Sequence, residues 1–334
     1  MSMNVPYEIL FKIFEYLRCH QLWKLQYINK TIGQKMREYE WNQTFHFKKN
    51  ITSNIVCDVM TKWNIKNVDL SGYINIMSND LQNKFKNIRK LNMSYGDVSI
   101  VESLGKCINL EELNICESIL SNSDEDFEIQ EKFDETFFEN IGTLNKLKKL
   151  CLGEISNDVL AKEQIDNLFK LTGLTHLKAK YLPFSVQEMN KLINLKELRV
   201  DWIGNCDDDI MMINLTKLDL RPSLTLDTSR EEKIQNLINL KSLTLRDCRI
   251  TGNSINKLTK LKKLKLIRCI LCNNVFSKIG FVNYLILDAC KKCNDYSDDV
   301  KYLSSCKEIK ISKNILSSEN ITYLHKCGVK LKYV

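Results

Sequence analysis

Three phrases of the same form decide the fold of this chain: NLKELRV at 194–200, NLTKLDL at 214–220 and NLKSLTL at 239–245. In each phrase a leucine is followed three and five places later by two more apolar residues, with polar residues between them. This alternation predicts a short strand that turns one face toward a core. Because the phrases recur at intervals of 20 and 25 residues, we predict a repeat architecture.

The same apolar pattern extends along most of the chain. Apolar residues at relative positions 1, 4 and 6 begin at Ile65, Ile88, Leu110, Leu147, Leu174, Leu195, Leu215, Leu240, Leu261, Val282 and Cys306. Most intervals between these starts are 20 to 25 residues, and one interval of 37 residues indicates an insertion. Apolar residues three apart, such as Val186, Met189 and Leu192, lie between the phrases and predict helices. Each repeat is therefore predicted to be one strand and one helix, and FHF at 45–47 is predicted to be a first, degenerate strand.

The later repeats carry a longer pattern, L-x-x-L-x-L-x-x-(N/C)-x-L, as in LKSLTLRDCRI from Leu240. Its ninth position holds Cys248, Cys269, Cys290 and Asn314 in turn. Over residues 65–316 the sequence resembles the leucine-rich-repeat family. The resemblance implies an α/β solenoid with parallel strands on a concave face and helices on a convex face.

The composition is that of a water-soluble protein, with 44% hydrophobic and 27% charged residues among 334. No apolar stretch of about 18 residues could span a bilayer, so we expect no membrane partner. Polar residues and a proline interrupt the opening segment where a secretory signal needs an apolar run: Pro6, Glu8, Lys12 and Glu15. We therefore expect an intracellular protein, cytoplasmic or nuclear and not secreted, whose 13 cysteines are reduced thiols.

Two C-x-x-C pairs have the spacing of a zinc ribbon: Cys269 with Cys272, and Cys290 with Cys293. However, Cys269 and Cys290 also occupy the equivalent ninth position of neighbouring repeats, which explains them as small core residues. We predict buried thiols with no metal and no cofactor. A zinc site formed by stacking of the two pairs is the alternative.

Catalytic motifs are absent from the sequence. The chain has four histidines, His20, His46, His176 and His325, and no metalloprotease, nucleophile-elbow or phosphate-loop motif. Cys151 and His176 lie at outward positions of neighbouring predicted strands, but no oxyanion site accompanies them. We predict that the protein is not an enzyme and has no catalytic residue.

The insertion between the third and fourth repeats, at about 118–140, is acidic. It carries Asp124, Glu125, Asp126, Glu128, Glu131, Asp134, Glu135 and Glu139 against Lys132. Its first half is predicted to be a solvated loop, with a docking role as the alternative. Its second half has Phe133, Phe137, Ile141 and Leu144 at helical spacing, which predicts a longer outer helix.

Outward strand positions from Leu174 to Leu266 are predominantly basic. They include Lys178, Lys180, Arg199, Lys217, Arg221, Arg246, Lys263 and Lys265 against Glu197, Asp201 and Asp219. One interpretation is a concave surface that captures an acidic segment of a target protein, and the other is a solvated surface. Nucleic acid is disfavoured because no aromatic residues are interleaved with the basic ones.

The opening segment differs from the repeats. Pro6 suits a first helical turn, and one side of the helix holds Ile9, Leu10, Ile13, Phe14 and Leu17. A turn is predicted at Arg18 to Gln21. A second helical stretch then carries Leu22, Leu25, Ile28, Ile32 and Met36. Phe11, Tyr16 and Trp23 add apolar surface beyond what about forty residues can bury, which favours a partner surface.

The stretch VPYEILFKIFEYLRCHQLWKLQYINK, residues 5–30, resembles an F-box. The matching positions are Pro6, Glu8, Ile9, Leu10, Ile13, Phe14, Leu17, Leu22, Leu25, Ile28, Asn29 and Lys30. Departures from the usual motif are Val5, Gln21 and Ile32. In that family the module binds the Skp adaptor of cullin-based SCF ubiquitin ligases, and the repeats that follow select the substrate.

The resemblance implies an F-box-like module at 1–41 and a solenoid at 42–334 that binds the target. It implies an adaptor-binding set of Pro6, Ile9, Leu10, Ile13, Phe14, Leu17, Leu22 and Leu25. The protein would then be a substrate receptor in the ubiquitin-conjugation pathway, with a Skp-type adaptor and a cullin scaffold as partners. The alternatives are a repeat scaffold whose N-terminal helices cap the first repeat, and a basic nucleic-acid-binding solenoid.

Overall fold

A computed structural model of the chain describes residues 6–15, 17, 19–25, 30–47, 52–72, 84–94, 104–116, 135–154, 166–182, 185–202, 210–222, 232–292, 298–312 and 315–333. They form two compact units, Met1–Gly173 and Leu174–Val334. Within these ranges, no helix has the length and apolar content needed to cross a bilayer.

The first unit begins with helices and continues with parallel strands. Its described elements are α1 Tyr7–Phe14, α2 Cys19–Leu25, α3 Lys30–Glu38, β1 Trp41–His46, α4 Ser53–Lys62, β2 Ile65–Asp69, β3 Lys90–Asn92, β4 Glu112–Asn114, α5 Glu135–Gly142 and β5 Lys149–Glu154. The five strands pair in chain order, each parallel to the next. Strand β1 confirms the prediction of a first strand around FHF.

The second unit repeats the strand at shorter intervals. Its described elements are β6 His176–Leu182, α6 Val186–Met189, β7 Glu197–Trp202, β8 Lys217–Pro222, β9 Ser242–Arg246, β10 Arg249–Ile250, β11 Lys263–Ile267, β12 Ile270–Leu271, α7 Val275–Ile279, β13 Tyr284–Asp288, β14 Lys291–Lys292, β15 Glu308–Ile311, α8 Ser318–Lys326 and β16 Lys330–Tyr333. A parallel sheet runs β6-β7-β8-β9-β11-β13-β15-β16, and a small parallel sheet runs β10-β12-β14.

The core of the second unit is built from equivalent positions of successive repeats. Position 4 gives a column in which neighbours are paired in register: Leu218, Leu243, Leu264, Leu285 and Ile309. All five side chains are buried. A fully buried side chain of this size contributes about 1.5 to 3 kcal/mol, so the column stabilises each repeat through its neighbours. The predicted parallel leucine-rich-repeat architecture is therefore confirmed.

The prediction of one α-helix in every repeat is wrong for several repeats. Several repeats have a 3-10 turn instead, at Phe85–Asn87, Asp166–Lys170, Ile255–Lys257 and Asp298–Ser305. A 3-10 helix rises about 2.0 Å per residue against 1.5 Å for an α-helix. It therefore covers the distance from one strand back to the start of the next with fewer residues. Within the insertion, α5 buries Phe137 and Ile141 as predicted, whereas Phe133 and the acidic residues 124–134 lie outside the described residues.

The N-terminal helices also depart from the prediction. The turn expected at Arg18 to Gln21 is wrong, because α2 already begins at Cys19. The predicted second helical stretch consists of α2 and α3. Leu22 of α2 and Met36 of α3 are both fully buried, so each helix contributes a core residue.

Candidate protein-binding surfaces

Helix α1 has a buried side and an exposed side. Its predicted adaptor-binding residues fall on both sides. Phe14 is buried, as is Leu22 of α2, whereas Ile9 and Ile13 are 52% and 55% exposed. Pro6 is exposed at the start of the helix, and Leu10, Leu17 and Leu25 are half-buried. Because Ile9 and Ile13 are four residues apart, they lie side by side on one face of the helix.

The buried side of α1 packs against the first strand. The Phe11 ring lies 4.9 Å from the Tyr39 ring and 6.0 Å from the Trp41 ring. Trp41 in turn stacks on Trp63 at 5.5 Å and donates from Nε1 to the Met36 carbonyl at 3.0 Å. The interpretation of Phe11 as surplus surface is therefore wrong, because Trp41 lies beyond the helices and covers it. The side chains of Tyr16 and Trp23 lie outside the described part of the chain.

We call the outward-facing side of the strands, at positions 3, 5 and 7, the open face. In the second unit, Lys178, Arg199, Asp219, Thr244 and Lys265 follow one another at position 5 of neighbouring strands. Asp219 is the only acidic member of this run. The register therefore places one carboxylate among several cations.

Part of the predicted basic stripe is neutralised by ion pairs. Arg246 donates from Nε and Nη2 to the two Asp219 oxygens at 3.1 and 3.0 Å, and Arg199 Nε lies 3.5 Å from Asp219 Oδ2. Lys217 donates to Glu197 at 3.2 Å. A bidentate arginine–carboxylate pair is among the stronger ion pairs because two parallel hydrogen bonds fix its geometry. Arg199, Lys217 and Arg246 are thus held by their neighbours.

The remaining lysines of the stripe lie at two places on the open face, β6 and β11. No acidic side chain within the described ranges pairs with Lys178, Lys180, Lys263 or Lys265. The side chains of Arg221 and Asp201 lie outside those ranges. Two separated pairs of lysines therefore remain as candidate contacts for an acidic partner.

The predicted basic stripe ends at Lys265, but the open face continues toward the end of the chain. Strand β16 pairs with β15 and brings Lys330 and Lys332 beside Glu308 and Lys310. Lys332 donates to Glu308 at 3.0 Å, and this hydrogen bond lowers the pKa of the Glu308 carboxyl below its ordinary value. The alternation K-L-K-Y at 330–333 was the available signal, but Gly328 stands at position 1, where the other repeats have an apolar residue.

The open face of the first unit is balanced by its own ion pairs and hydrogen bonds. Glu112 lies between Lys90 at 3.0 Å and Lys149 at 3.1 Å. Partial burial raises the pKa of Glu112, but the hydrogen bonds from both lysines outweigh it and bring the pKa below the ordinary value. Beside this group, Asp69 accepts from Asn92 at 3.0 Å and lies 2.6 Å from His46 Nδ1.

Two cysteines of the first unit are joined in a disulfide. Cys116 and Cys151 form a disulfide, so the expectation that all cysteines are reduced is wrong for this pair. The reason lies in the register: Cys151 is paired with Asn114, two residues before Cys116, although 35 residues separate the cysteines. With its sulfur in this bond, Cys151 has no thiol to act as a nucleophile with His176.

Cys269 and Cys290 are buried, as predicted. Cys269 Sγ lies 3.7 Å from Cys248 Sγ, and the Cys290 thiol donates to the Leu266 carbonyl at 3.3 Å. The hydrogen bond to Cys269 and then burial raise the pKa of Cys290, which keeps that thiol protonated. Cys293, the fourth member of the zinc-like pattern, lies outside the described residues.

Similarity to a solved structure supports the fold. The chain is similar to an internalin (inlF) from Listeria monocytogenes, with a TM-score of 0.54 and 17% identity over 79% of this chain and 71% of the other. It is also similar to an internalin C2 from that species, with a TM-score of 0.42 and 14% identity over 78% of this chain and 92% of the other.

A leucine-rich-repeat protein from Leptospira interrogans has a TM-score of 0.34 and 17% identity over 84% of this chain and 97% of the other. No family model matches the sequence, and no curated protein matches it either. The likeness to the first internalin agrees with the repeat geometry described above. The chain has the leucine-rich-repeat fold, which generally offers extended surfaces to protein partners.

Proposed function

We propose that the chain is the substrate-recognition subunit of an SCF-type ubiquitin ligase. Residues 1–41 would act as an F-box that binds a Skp-type adaptor and, through it, a cullin scaffold. The repeats at 42–334 would bind the target protein. The observation that carries the proposal is the exposed side of α1, where Ile9 and Ile13 are 52% and 55% exposed beside Pro6 and Tyr7.

The exposed isoleucines are not needed for the helix to pack. Phe11 and Phe14 on the opposite side are already buried, and Phe11 packs against Tyr39 and Trp41. Burying one isoleucine side chain contributes about 1.5 to 3 kcal/mol, so a partner covering both gains roughly twice that before association costs. An apolar adaptor surface is the partner that the F-box resemblance assigns to this side.

The target is proposed to present an acidic segment to the open face of the second unit. Lys178, Lys180, Lys263 and Lys265 are the candidate contacts, because the ion pairs around Asp219 already engage Arg199 and Arg246. Such binding should weaken as salt is added, since exposed charges are screened. The receptor itself would be non-catalytic and would act in the cytoplasm or nucleus by holding the target near the ligase.

A second candidate function is a repeat scaffold with a helical cap. It is favoured by the aromatic cluster of Phe11, Tyr39, Trp41 and Trp63, through which the helices cover the first strand. A capping helix needs a buried side only. This reading therefore accounts for Phe11 but leaves the exposed Ile9 and Ile13 without a role.

Affinity purification followed by mass spectrometry separates the two functions. The tagged wild-type chain should recover a Skp-type adaptor and a cullin, and an Ile9→Ala, Ile13→Ala variant should lose both while keeping its target. A Lys178→Glu, Lys263→Glu, Lys265→Glu variant is the matched control and should lose the target while keeping the adaptor. Recovery of neither adaptor nor cullin by the wild type would favour the scaffold.

A further inference from the structure

A row of exposed isoleucines runs along the side of the second unit where the chain enters the strands. Ile193, Ile213 and Ile238 each stand two residues before position 1 of consecutive repeats and are 60%, 53% and 53% exposed. Asn214 Nδ2 donates to the Ile193 carbonyl at 2.8 Å, and Asn239 Nδ2 donates to the Ile213 carbonyl at 2.9 Å. These bonds hold the three turns in register, so the isoleucines follow the spacing of the strands, about 4.8 Å.

A column of lysines runs parallel to this row. Lys196, Lys241 and Lys262 each follow position 1 directly, and all three side chains are exposed. The Thr216 amide donates to the Lys196 carbonyl at 2.8 Å, the Lys241 amide donates to the Thr216 carbonyl at 2.8 Å, and the Lys262 amide donates to the Lys241 carbonyl at 2.9 Å. Across the ranges that the structure covers, no acidic side chain forms an ion pair with these lysines.

Neither the core nor the open face explains why exposed isoleucines and exposed lysines occur together here. Core positions 4 and 6 are filled by other residues, and the isoleucine row lies before the strands begin. Met211 extends the apolar surface, since it is 54% exposed and its carbonyl accepts from the Ile213 amide at 2.8 Å. The result is a linear apolar row beside a line of exposed lysines. Lys196 and Lys241 lie three residues after Ile193 and Ile238, Thr216 takes the same place after Ile213, and Lys262 continues the line in the next repeat.

We propose that this strand-entry rim, made of Ile193, Met211, Ile213, Ile238, Lys196, Lys241 and Lys262, docks an acidic amphipathic helix of a partner protein. One turn of an α-helix rises 5.4 Å, close to the strand spacing of about 4.8 Å, so a helix laid along the repeats places one residue over each isoleucine. Apolar residues three or four apart would meet the isoleucines, and Asp or Glu on the adjacent line would meet the lysines. The rim shares no residue with the open face or with α1, so this proposal does not depend on the proposed function.

A membrane surface is the competing partner for apolar and basic side chains. Peripheral membrane segments usually place Trp, Phe or Leu on a broad apolar face. The rim instead offers a single narrow row without an aromatic side chain, which fits one helix better than a lipid surface.

The probe is a fluorescent peptide of about 18 residues with leucines at alternating three- and four-residue spacing and glutamates beside them. A peptide of the same composition in scrambled order is its control. Anisotropy titrations with the full chain should give at least about tenfold tighter binding for the amphipathic peptide. Equal binding of the two peptides, or binding of neither, would overturn the proposal.

Variants locate the site. An Ile193→Ser, Ile213→Ser, Ile238→Ser variant and a Lys196→Gln, Lys241→Gln, Lys262→Gln variant should each weaken binding by about tenfold or more. The lysine variant keeps the test valid if the isoleucine variant folds poorly. A Lys301→Gln, Lys326→Gln variant, at exposed lysines that belong neither to the rim nor to the open face, should change binding by less than about twofold. A loss confined to this control, or sedimentation of the chain with phosphatidylserine vesicles that requires the isoleucines, would contradict the inference.

Discussion

Helices α1 and α7 bury their apolar residues to different extents. Helix α7 belongs to a repeat, and its Val275, Phe276 and Ile279 are all buried. Helix α1 buries Phe11 and Phe14 but leaves Ile9 and Ile13 more than half exposed. A repeat helix is covered by its neighbours on the stack, so its apolar residues are explained by the core alone. The apolar residues of α1 exceed what its own unit covers, and this excess is the reason to look for a partner there.

The largest loss of stability is expected for a substitution in the buried core of the second unit. Replacing Leu264 with aspartate places a carboxyl group in the central column of the second unit, where the leucine is fully buried. Urea denaturation should show a loss of more than about 3 kcal/mol or no folded protein, because a buried polar group lacks a partner there. Ile213→Asp is the matched control in the same unit, and its exposed site should tolerate the change. Equal stability of the two variants would mean that the repeat register is wrong.

Within α1, a buried and an exposed side chain should differ in their contribution to stability. Phe11→Ala should lower the free energy of unfolding by about 3 kcal/mol, because it leaves a cavity against Tyr39 and Trp41. Ile13→Ala should cost less than about 1 kcal/mol, since the side chain is largely exposed. Thermal or urea denaturation of the two variants measures the difference. If Ile13→Ala proves as destabilising as Phe11→Ala, the exposed side of α1 is part of the core and offers no partner surface.

The repeats could be predicted from the sequence because their signal is local and recurs. The column through Leu243 and Leu264 follows from the spacing of leucines within each phrase, and every further repeat shows the same spacing. Register between distant segments gives no such signal. The Cys116–Cys151 disulfide depends on the pairing of β4 with β5 across the insertion, which the 37-residue interval conceals.

The candidate surfaces were predictable only in part for the same reason. The basic stripe is predicted from the outward positions of each strand taken alone. The ion pairs that Asp219 forms with Arg199 and Arg246 join three strands, so no single strand indicates them. Likewise, the burial of Phe11 depends on Trp41, which lies beyond the helical segment. Residue type and spacing identified the surfaces, whereas cross-strand neighbours decided which side chains remain available.

The smallest expected effect concerns the open face of the first unit. Because the pKa of Glu112 is lowered in the folded protein, its ionised form adds stability above the unfolded pKa of about 4.3, and this stability is lost as pH falls through the folded value. Glu112→Gln should remove a contribution of less than about 1 kcal/mol at neutral pH, as is usual for partly exposed pairs. Denaturation of both proteins from pH 7 to pH 3 should show the difference shrinking with acid. A difference that stays constant with pH would contradict the roles assigned to Lys90 and Lys149.

The most direct test of the proposed adaptor binding is the affinity of the purified chain for a Skp-type adaptor, measured by titration calorimetry. The wild type should bind, and the Ile9→Ala, Ile13→Ala variant should bind about a hundredfold or more weakly, because two exposed isoleucines contribute roughly 1.5 to 3 kcal/mol each when buried. Its melting temperature should match that of the wild type. No binding by the wild type, or an unchanged affinity in the variant, would contradict the account and leave the helices as a cap on the first repeat.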